Sequence, residues 1–392
     1  MKKYLFSQYL FVFIRNIFGL SLIPLLGPQQ LGIYKIFCNI TNNARFLHFG
    51  IPTYSVFRCT SKNAVMVSSY ERLMRFVNIF SLILIIPYAL LLVTLYDLLD
   101  LAFFLALILQ IIVILTNNLL SALERIKGNL LIYSFLVFSP HIALILNPIL
   151  YFFVTDINFS TILLIYSLIN SFVALSLLRI RWHIIKSLFK NSKLKIKFFF
   201  KVLKKSFLQI LFTILFSLNV LFDNYLLLEN YSLAFLGSYS IYLVYNSLFS
   251  QLYSGYTVYS FKHANNLYQT SNLALIKNLM LLALIGVSFS FIISSLAIYC
   301  LGFFPEYTFA PILIENFWWV TGIMIFRFNL PNYYFKNNAS NRLVLIFIFL
   351  LMLKVLFVIY FDAPIYVIVV LFEPLLSLFI LFDYLLMQKR GS

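Results

Sequence analysis

Acidic side chains are scarce in this chain. Asp and Glu total 12 against 29 Lys and Arg, and all charged types together make up only 10% of 392 residues. A soluble globular domain carries about 25% charged residues. With 62% hydrophobic residues, this chain cannot cover itself with polar surface in water. The shortage excludes a soluble fold and points to repeated membrane spans, each needing about 20 apolar residues. Cysteine is as sparse. Cys38, Cys59 and Cys300 are scattered and lack the spacing of a zinc site or a disulfide framework, so free thiols and no metal are expected. Motifs of soluble catalysis are also missing: there is no GxxxxGKS phosphate loop, no HExxH and no GxSxG. No segment is large enough for a soluble catalytic domain. The sequence therefore implies no enzyme and no cofactor. Energy must come from an ion gradient, a membrane potential or the substrate gradient, unless a separate subunit supplies it. Lys2 and Lys3 precede an apolar run, but Pro24 to Pro28 offers no small-residue cleavage site. The first segment reads as a retained helix.

What is present is apolar sequence in blocks. They fall at about 4–26, 31–57, 73–96, 101–122, 130–154, 159–180, 206–228, 234–260, 276–300, 311–335, 342–361 and 364–386. The loops between them test the count. Alternate loops carry no Lys or Arg and hold only Asp97 and Asp100, Asp156, Glu229, Glu306 and Asp362. The others hold Arg58, Lys62, Arg72 and Arg75, then Arg125 and Lys127, then Lys262 and Lys277, then Lys336 and Arg342. A missed or invented helix would invert this pattern downstream, and it never inverts. Cytoplasmic loops collect basic residues, so the expectation is an all-α polytopic membrane protein of about twelve spans in the cytoplasmic (inner) membrane, with both termini in the cytoplasm. The same rule accounts for the net charge of +17 and argues against a nucleic-acid partner.

A long basic connection from Arg179 to Lys205 contains no acid. It divides the chain into an N-terminal six-helix bundle (1–182), a cytoplasmic linker (183–205) and a C-terminal six-helix bundle (206–392). Near an anionic leaflet each basic residue is worth roughly 1 kcal/mol. The halves echo one another: Leu31-Gly32-Ile33-Tyr34 opens the second span and Leu236-Gly237-Ser238-Tyr239 the eighth. Repeated bundles facing a central cavity are a common transporter plan.

Charges inside spans are costly, at least about 2.5–3.5 kcal/mol near the bilayer centre, and so mark cavities or partners. On an ideal helical wheel the second span places Lys35, Asn39, Thr41, Asn42, Arg45 and His48 on one half, with Ile33, Ile36, Ile40, Ala44, Leu47 and Ile51 on the other. Arg15 lies in the first span at similar depth. His141 in the fifth span, beside Pro140, reads as a packed side chain. A mid-membrane arginine cluster without acids suits an anion, and the guanidinium fork suits phosphate. In the second half, Lys354 and Glu373 lie at equal depth on successive spans, which predicts an ion pair. Asp223, Glu315 and Glu373 are candidate coupling-ion or proton sites. The eighth span carries a tyrosine stripe, of which Tyr242, Tyr245 and Tyr256 are candidates for contact with sugar rings.

These residues carry a resemblance. Leu25-Leu26-Gly27-Pro28-Gln29-Gln30-Leu31-Gly32-Ile33-Tyr34 resembles the LGP-x-x-(F/Y/L)-G-x-Y turn of O-antigen and polysaccharide flippases. His48-Phe49-Gly50-Ile51 resembles a later element of the same span. Asp223-Asn224-Tyr225 with Leu236-Gly237-Ser238-Tyr239-Ser240 is similar to the family's second-half pattern. The family belongs to the multidrug/oligosaccharidyl-lipid/polysaccharide exporter superfamily. The resemblance implies a V-shaped pair of bundles around a central cavity, working by alternating access. It implies flipping of an undecaprenyl-diphosphate-linked oligosaccharide, an O-antigen or capsular repeat unit, with Arg15, Lys35 and Arg45 on the pyrophosphate. Membrane lipids and polysaccharide assembly proteins are the partners it suggests. A multidrug or ion antiporter of the same architecture is the alternative. A polytopic glycan polymerase is a further one, disfavoured because every outer connection is short.

Overall fold

The computed structural model describes residues 10–11, 14, 16–52, 55, 64–98, 100–127, 129–146, 158–180, 196–246, 249, 273–336, 339–361 and 363–391. Among these, the regular structure is helical. Helix α1 (Pro28–Asn43) runs into a 3₁₀ turn (Ala44–His48). Then come α2 (Ala64–Leu95), α3 (Leu101–Lys127), and α4 (Leu130–Phe138) with its own 3₁₀ extension (Ser139–Leu146). Next are α5 (Phe159–Ile180), α6 (Ile196–Asn230) and α7 (residues 233–246). The chain ends with α8 (Leu273–Leu301), α9 (Phe309–Phe317), α10 (Val320–Ile323), α11 (Ile325–Lys336), α12 (Ser340–Tyr360) and α13 (Ile365–Gly391). Among the described residues, seven helices are long and apolar enough to cross a membrane, or eight if the pair Phe309–Phe317 and Val320–Pro331, bent by 56°, is one span. The polytopic all-α expectation holds. Of the remaining expected spans, 4–26 and 234–260 lie partly outside the described residues, and those at 31–57 and 130–154 turn 3₁₀ part-way. Of the central basic linker expected at 183–205, the part up to residue 195 lies outside the described residues. From Ile196 onward it is helix, so Lys201 and Lys204 ride on the first turns of α6.

The chain forms two compact units. Unit 1 comprises Met1–Leu25 and Tyr34–Leu221, and unit 2 comprises Leu26–Ile33 and Phe222–Ser392. In unit 1, α3 is the central element and packs on α2, α4 and α5. Ile51, Leu73, Met74, Val77, Leu119, Ala122, Leu123 and Val202 close a core between α2, α3 and α6. Where helices loosen, polar side chains take up the freed backbone groups, as lipid requires. Gln110 Nε2 donates to the Pro140 carbonyl at 2.9 Å, and Asn170 Oδ1 accepts from the Ala143 amide at 3.0 Å. Asn170 Nδ2 donates in turn to Gln110 Oε1 at 3.1 Å. This closed set supports the 3₁₀ segment of α4. The end of α1 is handled similarly. Asn43 Nδ2 bonds the Asn39 carbonyl at 2.9 Å, competing with the helical ladder. The chain then stops at Phe49 (φ 51°) and Gly50 (φ 60°), a left-handed step that favours glycine.

In unit 2, α8 packs on α9, α10 and α11, and α11 packs on α12 and α13. The bend at Trp318 is stabilised by Ser290 and Thr321, whose hydroxyls donate to the Trp318 carbonyl at 3.1 and 2.9 Å. The repeated Leu-Gly pair seen in the sequence meets itself here. A Cβ on Gly32 would lie 2.2 Å from the Leu233 carbonyl oxygen, and one on Gly237 would lie 2.0 Å from the Pro28 carbonyl oxygen. Each glycine rests on the carbonyl four residues before the other, a reciprocal crossing of the first turns of α1 and α7. Small residues permit such backbone approach between membrane helices. Beside it, the Tyr307 hydroxyl donates to the Leu26 carbonyl. Outer faces of α8 and α12 present Leu284, Ile292, Leu345 and Ile359 without cover, as lipid-facing surfaces do.

Gly32→Ala and Gly237→Ala are each expected to force α1 and α7 apart, costing about 1–3 kcal/mol or more by overpacking. Thermal unfolding of detergent-purified protein checks this. Midpoints unchanged from the parent would contradict the crossing.

Candidate functional site

Unit 1 holds a polar cavity of about 160 Å³. Arg45 enters it from the 3₁₀ turn after α1. Asn117, Asn118, Ser121 and Arg125 line it from α3, and Tyr133 and Pro140 from α4 and its 3₁₀ extension. Arg45 is exposed and pairs with no acid among the described residues. The Arg125 guanidinium lies 6.0 Å from the centroid of the Tyr133 ring, within cation–π range. Asn117 Nδ2 is taken by Ser139 Oγ at 2.9 Å, and its Oδ1 is buried without a hydrogen bond. The arrangement offers two fork-shaped cations that cannot be neutralised by losing a proton. Its chemistry is that of anion capture.

Of the cavity residues, sequence reasoning found Arg45 and missed the α3 wall, because Arg125 reads as a loop charge. The signal was there: Asn117, Ser121 and Arg125 recur at intervals of four in an otherwise apolar helix, one face of a turn.

His48 differs from expectation. The wheel treats the second span as one α-helix, but Ala44–His48 is 3₁₀, which advances about 120° per residue instead of 100°. In such a turn His48 lines up with Arg45 three residues earlier, yet it is fully buried, because Asn78 of α2 and Asn118 of α3 close over its ring. Its Nε2 lies 3.2 Å from Asn78 Oδ1, and Asn118 Nδ2 lies 3.1 Å from its Nδ1. A neutral ring protonated at Nε2 satisfies both partners, so His48 braces the wall behind the cavity. Lys35 and Asn42 are half-buried and Asn39 is buried; none of them lines the cavity. Arg15 lies outside the described residues.

A second, apolar cavity of about 310 Å³ shares Leu136 with the first. Its walls are Leu120, Leu131, Ile132, Phe135 and Leu177, with one carboxylate, Glu124. Glu124 is buried and accepts from Asn129 Nδ2 at 2.7 Å. Sequence reasoning passed over it.

Unit 2 gathers charge from four helices. Lys354 of α12 donates to Asp223 of α6, and its ammonium sits 4.6 Å from the centroid of the Phe372 ring. Arg327 of α11 pairs with Glu373 of α13. The expected Lys354–Glu373 pair is thus replaced by two others. Equal depth fixes height only; neighbouring positions on α13 point about 100° apart, so Phe372 meets Lys354 and Glu373 meets Arg327. Glu315 is exposed on α9 and takes no part in either ion pair. Tyr242 and Tyr245 are core residues, 1% and 4% exposed, and Tyr245 donates to the Ser290 carbonyl at 2.7 Å. Neither ring faces a groove here, and Tyr256 lies outside the described residues.

An outward-facing multidrug-resistance MATE family transporter of the MOP superfamily superposes with a TM-score of 0.67, covering 100% of this chain and 97% of its own, at 14% identity. The fold is that of the MATE transporters. An inward-facing structure of such a transporter gives 0.63 at 15% identity, covering 98% of this chain and 96% of its own. A eukaryotic MATE transporter gives 0.65 at 13% identity, covering 99% and 96%. No protein-family model matches the chain, and no curated protein matches it.

His48→Ala is expected to strand two amide side chains against the cavity wall, at about 1–3 kcal/mol per unsatisfied group, and His48→Gln to recover part of the loss. Thermal midpoints of the purified variants check it. Equal midpoints for His48→Ala and the parent would contradict the bracing role.

Proposed function

We propose that this chain is an alternating-access transporter that moves an undecaprenyl-diphosphate-linked oligosaccharide across the cytoplasmic membrane, both termini lying in the cytoplasm. The observation that carries the reading is the cavity with Arg45 and Arg125, open to solvent and unmatched by acid at Arg45. A diphosphate supplies two or more negative charges and oxygens arranged for guanidinium forks. The polyprenyl tail would stay in lipid while the sugars follow the head group. The MATE fold of both outward- and inward-facing neighbours supports alternating access, and the flippase-like motifs around Gly32 and Gly237 support the lipid-linked substrate. Polysaccharide assembly proteins are the partners this role suggests.

A second reading has its own observation. The apolar cavity with a buried carboxylate at Glu124 suits a lipophilic cation, and the neighbours are multidrug transporters by name. The two readings separate by charge: the first needs Arg45 and Arg125, the second Glu124.

In proteoliposomes carrying a fluorescent diphosphate-linked saccharide lipid, Arg45→Gln and Arg125→Gln are each expected to cut translocation at least about tenfold, since losing one charged hydrogen bond is worth about 1.5–3 kcal/mol. Arg45→Lys keeps the charge and is expected to retain part of the activity. Undiminished flux in folded Arg45→Gln, with Glu124→Gln abolishing efflux of a lipophilic cation, would favour the second reading.

A further inference from the structure

The four charges gathered in unit 2 cancel one another. Asp223 faces inward from α6, Arg327 from α11, Lys354 from α12 and Glu373 from α13, with the buried Tyr239 of α7 within electrostatic range of Asp223, Glu373 and Arg327. The Lys354 side chain is only 2% exposed. Its ammonium is bounded by a carboxylate oxygen on one side and the face of Phe372 on another. A carboxylate and an aromatic face are what a desolvated monovalent cation is held by. Burying such a charge is costly unless it is matched, and here the match comes from the chain itself.

We propose that Lys354 is a tethered cation filling a monovalent-cation site built on Asp223, so that the transport cycle runs without exchange of sodium or potassium at Asp223 or Glu373. This does not depend on which substrate is carried. With the ammonium in place, a second cation would meet a cluster of zero net charge in which each carboxylate already has a cation. With the ammonium removed, the cluster is left with one negative charge and a vacancy of ammonium size beside Asp223. An inorganic monovalent cation then restores the balance. The expectation that Asp223 and Glu373 are coupling-ion sites is replaced by that of an internally loaded site.

The test is the thermal midpoint of the full-length purified protein in sodium or potassium chloride against choline chloride at equal ionic strength, since a ligand that binds the folded state raises its stability. The parent and Lys354→Arg are expected to be indifferent to the exchange. Lys354→Met is expected to melt lower in choline and to gain a saturable rise in sodium or potassium. Asp223→Asn/Lys354→Met is expected to fold and to show no response. A saturable response in the parent that Asp223→Asn removes would overturn the proposal, as would a folded Lys354→Met indifferent to the salts. If Lys354→Met can be recovered only in sodium or potassium, the proposal stands. If it folds in neither while the double variant does, the proposal falls.

Discussion

An arginine inside an apolar protein has no neutral form to retreat to. Where lysine or histidine can shed its proton, a guanidinium must find water, an acid or an anion. That constraint organises the structure. Arg45 is placed by the 3₁₀ turn that ends α1, Arg125 lines the same cavity from α3, and Asn117, Asn118, Ser121 and Tyr133 join them among apolar side chains. Supporting the cavity wall takes the His48 bridge to Asn78 and Asn118. It also takes the Gln110–Asn170 pair that supports the 3₁₀ segment after α4. The polar residues of unit 1 are there to keep a wet space open and shaped.

Unit 2 solves the same electrostatic problem the opposite way. Its charges are brought together until they cancel, as Lys354 with Asp223 and Arg327 with Glu373, and a third contact, Arg342 to Asp383 at 3.0 Å, joins Tyr334 nearby. On the proposed reading, the arginine-lined cavity of unit 1 meets an anionic guest, while the paired charges of unit 2 hold its helices together. The shared fold with multidrug transporters does not choose the guest; the side chains in the cavity do.

The spans were legible because apolar blocks and loop charge are one-dimensional signals. The blocks at 73–96, 101–122, 276–300 and 342–361 fall on helices 76–95, 101–126, 276–301 and 340–360. The Gly32 and Gly237 echo was legible too, and the reciprocal crossing supplies its physical reason. What failed were inferences that needed azimuth. His48 is buried because α2 and α3 pack Asn78 and Asn118 against its ring, which a wheel of one helix cannot show, and Lys354 chose Asp223 because depth says nothing about direction. Tyr239, Tyr242 and Tyr245 of α7 are core packing, where their shared face on the wheel had suggested a groove. Arg125 was missed because the fourth span was ended too early, at residue 122, whereas α3 continues to Lys127.

The central claim is that water and a phosphate anion reach position 45 inside the bundle. It is tested most directly by an Arg45→Cys variant in a background with Cys38, Cys59 and Cys300 replaced by Ser, treated with a charged, membrane-impermeant thiol reagent in proteoliposomes of mixed orientation. The account predicts modification of the folded protein, slowed by a diphosphate-linked saccharide lipid. A thiol that stays unreactive until the protein is denatured would contradict it.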